Sequence, residues 1–162
     1  MAEVKTNLRV LQPSRKKLRA GDVFAMQMPD DLYLFGRVIS TDAVIGPMTG
    51  IILIYIFRTR SEVKAPPRRE DLRPDNLLVS PILINRLPWS RGYFETIDHR
   101  PLEQEDLLKQ HCFLSSVRGQ YFDEKGHELP GPVEPVGSRG LNSYRTADDK
   151  ISKALGFERV PD

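Results

Sequence analysis

The sequence predicts an α+β fold that is mainly β, with a bent, SH3-like or half-barrel sheet and a C-terminal helix. Two apolar runs flank a Pro-Asp-Asp turn at residues 29–31, a pattern typical of a hairpin. An unbroken β-branched and aromatic run fills residues 51–57, and an amphipathic segment lies near the C-terminus. We expect six or seven strands and one terminal helix in a single domain.

The hairpin spans residues 21–40, and its apolar side chains point to both faces of the predicted sheet. Side chains alternate between faces along a strand, so apolar residues at nearly every position indicate that both faces are covered. Residues 41–50 contain Gly-Pro and a second glycine, which predicts a connection. Residues 51–57 then predict the central strand, because only a strand covered on both faces tolerates so few polar groups.

The middle of the chain predicts a loop and several short strands. Residues 61–76 are polar and rich in proline, typical of a loop with at most one helical turn. Pro81 lacks a backbone N–H, so residues 77–84 predict either two short elements or an edge strand. Residues 89–97 and residues around 112–114 each predict a further strand.

The last third predicts a hairpin, a loop and a helix. Residues 119–123 and 127–129 flank a turn in which Gly126 supplies the positive φ that a tight turn needs. Residues 130–144 are rich in glycine and proline and predict a surface loop. We expect Thr146 to cap the final helix at its N-terminus and Gly156 to end it.

Charge divides the chain into a basic N-terminal arm, residues 1–20, and a mildly acidic domain, residues 21–162. The arm holds six basic residues and one acid, which leaves 18 bases and 21 acids for the domain. Cys112 is the single cysteine, which favours a reducing compartment. With a charged N-terminus and no long apolar run, we expect a cytoplasmic protein that does not enter a membrane.

Motifs for catalysis or metal binding do not emerge from the sequence. His99, His111 and His127 lie in three separate segments, and adjacent strand residues such as His111 and Cys112 point to opposite faces. Cys112 precedes apolar residues, which indicates a buried thiol rather than a nucleophile. We therefore expect no catalytic residues, no metal and no cofactor.

Aromatic and arginine side chains are the best candidates for a binding surface, because they combine large contact area with directed hydrogen bonds. Three interpretations stay open: these residues fill the core, contact a protein partner, or stack on nucleic acid. The candidates for partner binding are Tyr33, Phe35, Arg37, Arg58, Arg60, Trp89, Arg91 and Tyr93.

Residues 17–38 resemble the opening of the immunity protein 26 family, for which HocA-type phosphotriesterase-like is a second label. The shared features are a basic residue, Gly-Asp-Val-Phe-Ala, an acidic turn and a return strand ending in Gly-Arg-Val. The strand at residues 51–57 is similar to the family's next strand, so the resemblance covers about residues 17–60.

The resemblance implies a bacterial antitoxin that binds and blocks the cognate toxin of a contact-dependent or polymorphic toxin system. Its partner would be a protein toxin, and homo-oligomerisation stays open. Two alternatives remain: a hydrolase of phosphotriesters, from the second label, and a small nucleic-acid-binding barrel that uses the basic arm.

Overall fold

This computed structural model describes residues 5–161 of the chain. These residues contain nine strands and two α-helices. Three single 3-10 turns lie between them, at Arg69–Leu72, Pro74–Asn76 and Gln104–Asp106. The strands are β1 (Asp22–Gln27), β2 (Tyr33–Ile45), β3 (Met48–Ser61), β4 (Ile82–Ile84), β5 (Glu95–His99), β6 (Cys112–Leu114), β7 (Tyr121–Phe122), β8 (Glu128–Leu129) and β9 (Val136–Ser138). The helices are α1 (Leu87–Ser90) and α2 (Tyr144–Leu155).

The strands form two sheets, neither of which closes into a barrel. The larger sheet has five antiparallel strands in the order β4-β3-β2-β1-β5. Several register shifts between β2 and β3 bend it, as bulges do in antiparallel sheets. The smaller sheet has the order β8-β7-β6-β9, with β9 parallel to β6. The predicted class, mainly β with a bent sheet and a C-terminal helix, is confirmed.

Both faces of the larger sheet are buried. On one face, Phe24 stacks on Phe94 at 4.6 Å between ring centroids and meets Trp89 edge-on at 5.2 Å. Residues of α2, including Ile151, complete this cluster. The opposite face packs Tyr55 and its neighbours against the smaller sheet. The apolar residues at nearly every position of β1–β3 are explained by this double cover.

The N-terminal segment packs on the face of the larger sheet that contains Phe24. Leu8 and Leu18 are buried in the same cluster as Phe24. The backbone N–H of Leu8 donates to Asp148 Oδ1 at 2.7 Å, and that of Leu11 donates to the Gly92 carbonyl at 2.7 Å. Residues 1–4 of the predicted arm, and residue 162, lie outside the described residues. Residues 5–20 are therefore fixed by packing and hydrogen bonds, while their cations face outward.

Other sequence predictions are correct in detail. The 124–126 turn joins β7 to β8, and Gly126 has a φ of +87°. The strand after Pro81 is the edge strand β4, and Cys112–Leu114 is a strand as expected. Gly156 ends α2 with a φ of +81°.

Residues 41–50 are not a connection. β2 and β3 continue through them, and only Gly46 and Pro47 turn the chain. β-Bulges accommodate the register shifts in this part of the hairpin, so β2 and β3 stay paired, with Ala43 opposite Ile51.

The strand predicted over residues 89–97 is wrong in its first half. Residues 87–90 form α1, because Pro88 suits the first turn of a helix and Trp89 is buried there. Gly92, with a φ of +88°, then lets the chain reverse before β5.

Three further local predictions are corrected. Ser143, not Thr146, caps α2, since its side chain accepts a hydrogen bond from the Thr146 N–H. Residues 61–76 contain two 3-10 turns rather than at most one. The loop at 130–144 contributes the short strand β9, and strands of two or three residues are too short for a periodic pattern to reveal.

Gly36 in β2 is required by close packing. A Cβ there would lie 2.3 Å from the Phe24 ring and 2.8 Å from the Tyr55 carbonyl oxygen. We predict that Gly36→Ala lowers the free energy of unfolding by roughly 1–3 kcal/mol, because the core must shift to make room. Urea denaturation measures this, with Gly131→Ala as the control, since a Cβ at Gly131 meets nothing within 4 Å. Equal stability of both variants would contradict it.

Candidate functional site

The eight predicted contact residues divide into two groups. Phe35, Arg37, Trp89 and Tyr93 are buried in the core, so a partner could reach them only if the domain opened. Tyr33 and Arg60 are half-buried on neighbouring strands, and Arg58 and Arg91 are exposed. Tyr33 and Arg60 are neighbours in the β2–β3 register, and all four residues of this second group remain predicted contacts.

Existing interactions already occupy the three arginines of the second group. Arg60 forms an ion pair with Asp30 at 2.7 Å. Arg58 donates through Nε to the Leu77 carbonyl at 2.8 Å, and Arg91 lies over the Tyr144 ring at 5.3 Å. A partner would have to compete with these contacts.

Arg37 is the centre of a buried polar cluster. Its Nη1 lies 3.4 Å from Asp106 Oδ2, and its Nη2 donates to the Arg100 carbonyl at 2.8 Å. Asp106 also accepts from the Glu103 N–H at 2.8 Å. Burial lowers the pKa of Arg37, and the neighbouring Asp106 carboxylate opposes that shift. Arg37 thus fastens the 100–106 loop to β2.

Tyr55 faces Arg37 across β2 and β3 and anchors a second loop. The Tyr55 hydroxyl accepts from the Leu108 N–H at 3.1 Å and lies 2.6 Å from His111 Nε2. His111 Nδ1 lies 3.2 Å from Glu124 Oε2, and a carboxylate only accepts, so Nδ1 carries the hydrogen. With a neutral imidazole, the Tyr55 hydroxyl then donates to Nε2, and the hydrogen bonds connect β3 to the 124–126 turn.

The Tyr55–His111–Glu124 chain shifts two pKa values. Burial raises the pKa of Tyr55 to about 12. The hydrogen bond from His111 lowers the pKa of Glu124. Tyr55 is fully buried, so this series of hydrogen bonds is not an open reaction centre. It stabilises the packing of the two sheets instead. Within residues 5–161, no group of three or more His, Cys, Asp or Glu side chains could hold a metal ion.

A surface groove of about 600 Å³ lies beside the outer part of β3. Strand β4 pairs only with residues 52–54, so residues 48–51 have no strand on that side in the described part of the chain. Met48 is 43% exposed and Leu141 is 45% exposed, and both line the groove. Lys17 and Arg86 also line it. The groove thus combines an open strand edge, apolar side chains and two cations.

A basic segment borders the groove, formed by Arg15, Lys16, Lys17 and Arg19. Leu18 in its middle is buried, so the cations on either side point to solvent. In residues 5–161, neither Arg15, Lys16 nor Lys17 has a carboxylate within ion-pair distance. The sequence shows the charge of this segment, but not that it lies against the groove.

The described residues form a mainly β domain in which β3 has an open edge at residues 48–51 beside the groove. The family model of immunity protein 26 matches residues 19–123, and the chain belongs to this family. The match extends well beyond the resemblance at residues 17–60 and gives no support to the HocA-type phosphotriesterase-like label. No curated protein and no solved structure matches the chain. None of the described helices has the length and apolar character needed to cross a membrane.

We predict that Arg37→Met destabilises the protein by roughly 1–3 kcal/mol, because the Arg100 carbonyl loses its donor and the buried Asp106 carboxylate keeps only Arg69, 3.6 Å away, as a cation. Adding Asp106→Leu should recover much of that loss, since both charges are then removed. Chemical denaturation of the single and double variants checks this. A single variant with normal stability would show that the buried pair does not stabilise the fold.

We predict that Tyr55→Phe lowers stability by roughly 1–3 kcal/mol, because the Leu108 N–H and His111 lose their shared partner. The raised pKa of Tyr55 stabilises the native state fully below pH 10, and that contribution disappears between pH 10 and about 12. The stability difference between wild type and variant should therefore shrink over this range, as measured by urea denaturation. A constant difference would contradict it.

Proposed function

We propose that this protein is a bacterial immunity protein that binds a cognate toxin and thereby blocks it. The observation that carries the proposal is membership of the immunity protein 26 family. We further propose that the toxin belongs to a contact-dependent or polymorphic toxin system and that the complex forms in the cytoplasm.

The groove beside β3 is the contact surface that we propose. Residues 48–51 offer a free strand edge, and edges of this kind pair with extended segments of partner proteins. Met48 and Leu141 provide exposed apolar area next to that edge. An extended toxin segment with an apolar side chain would pair with the edge and bury that area.

The charge around the groove favours an acidic toxin segment. Lys17 and Arg86 line the groove, and no carboxylate in the described part of the chain pairs with either. Cations at the rim of an interface accelerate association with an acidic partner and fix its orientation. Arg86 also donates to the Lys16 carbonyl at 2.9 Å, as Arg58 does to the Leu77 carbonyl, whereas Arg60 is already neutralised by its ion pair with Asp30.

The first experiment is co-expression with the toxin-like protein encoded next to the gene, followed by purification and growth assays. We predict that wild type forms a complex and protects the cells. The double variant Lys17→Glu/Arg86→Glu should bind at least tenfold more weakly, about 1.4 kcal/mol, chiefly through slower association. Surface plasmon resonance at several salt concentrations measures these rates.

Lys109→Glu is the matched control, since Lys109 is exposed and lies outside the groove. It should bind the toxin as wild type does. Equal binding by the groove variant and wild type would place the contact elsewhere. Failure of every toxin candidate to bind, together with recovery of nucleic acid in a salt-dependent complex, would overturn the proposal.

A further inference from the structure

A cavity of about 610 Å³ lies where α2 meets the edge of the smaller sheet. Lys150, Lys153 and Ala154 of α2 line one side, and β9 together with residues 78–81 lines the other. Among the described residues, this lining contains two lysines and no carboxylate. It shares no residue with the groove beside β3, so the two surfaces are separate. The volume is sufficient for a small metabolite.

Lys150 differs from the other lysines of the protein in its environment. The sequence contains eight lysines, and all of them lie within residues 5–161. Seven of them are exposed, and Lys150 alone is half-buried. In the described part of the chain, no acidic side chain lies within ion-pair distance of Lys150. Lysines are seldom buried without a partner, so this position requires an explanation.

The acidic residues next to Lys150 in α2 have other partners. Asp148 is buried and accepts from the Leu8 N–H at 2.7 Å, and Asp149 lies 3.8 Å from Arg159. Burial lowers the pKa of Lys150, and no carboxylate among residues 5–161 opposes that shift. A lysine that is desolvated in this way releases its proton more easily and becomes a better nucleophile at neutral pH.

We propose that Lys150 is a modification site, whose amine is acylated by a small acyl phosphate that enters this cavity. Lys153 lies one turn further along α2 and lines the same cavity, so its ammonium pairs with the phosphate of the donor. Val79 and Val136 provide apolar surface for the acyl group. The site is independent of toxin binding, because it lies apart from the groove.

The reaction requires the neutral amine, since its lone pair attacks the acyl carbon. A C–N bond forms, the bond from that carbon to the phosphate oxygen breaks, and phosphate leaves with the bonding electrons. The amine loses a proton to solvent and an amide results, so neither an oxidant nor a reductant is needed. An ordinary lysine, with a pKa of about 10.4, is neutral in roughly one molecule in a thousand at pH 7.5. A lowered pKa increases that fraction at Lys150.

The test is acetylation of the 162-residue protein by acetyl phosphate at pH 7.5. Peptide mass spectrometry follows the acetylated fraction of each lysine over time. Lys109 is the internal reference, because it is exposed and has no ion pair in the described part of the chain. We expect Lys150 to react roughly threefold faster than Lys109 or more, as its larger neutral fraction requires. An equal or lower rate at Lys150 would overturn the proposal.

Two variants test whether the cavity binds the donor. Lys153→Gln should slow acetylation of Lys150 by acetyl phosphate roughly threefold or more, because the phosphate loses its cation. With uncharged N-hydroxysuccinimidyl acetate as the donor, the same variant should react at Lys150 as wild type does. Lys125→Gln is the matched control, since it changes the net charge equally at an exposed position outside the cavity. Its Lys150 should react with acetyl phosphate at the wild-type rate.

Thermal unfolding checks that both variants are folded. Equal rates at Lys150 in Lys153→Gln and wild type with acetyl phosphate would overturn the proposal that the cavity binds the donor. Equal slowing by Lys125→Gln would do the same, because it would assign the effect to net charge.

Discussion

The burial of both faces of the β1–β3 sheet is the constraint on which the rest of the structure depends. Strands with apolar side chains on both faces are unfavourable in water, so other segments must pack on each face. The N-terminal segment, α1 and α2 cover one face, and the smaller sheet with its loops covers the other. Segments that look independent in the sequence are therefore held to one central hairpin.

Two buried polar contacts attach the 100–106 loop and the smaller sheet to the second face of the larger sheet. Arg37 and Tyr55 lie opposite each other on β2 and β3, among apolar side chains on the same face. Arg37 holds the 100–106 loop through Asp106, and Tyr55 holds the smaller sheet through His111. Hydrophobic packing alone is non-directional, whereas hydrogen bonds and ion pairs depend on direction, so these contacts favour one attachment of each loop.

The groove that we propose as the contact surface lies where β4 leaves residues 48–51 of β3 unpaired. Lys17 and Leu18 line both the groove beside β3 and a second cavity that Asp22 and His99 also line. Leu18 fixes the basic segment, so its cations face both openings. An immunity protein acts through its surface, and this segment places a concentration of unpaired positive charge next to an open strand edge.

The mainly β class, the hairpins, the glycine that ends α2 and the resemblance to the family can be predicted from the sequence, which leaves two alternatives for the residues around Pro81. These features follow from local patterns: alternation, turn residues and a contiguous motif. That Arg37 and Trp89 are internal, and that Asp22 contacts His99, is visible only in the folded protein. In strands that are apolar on both faces, alternation does not tell core from surface, because contacts between distant segments determine which side chains water can reach.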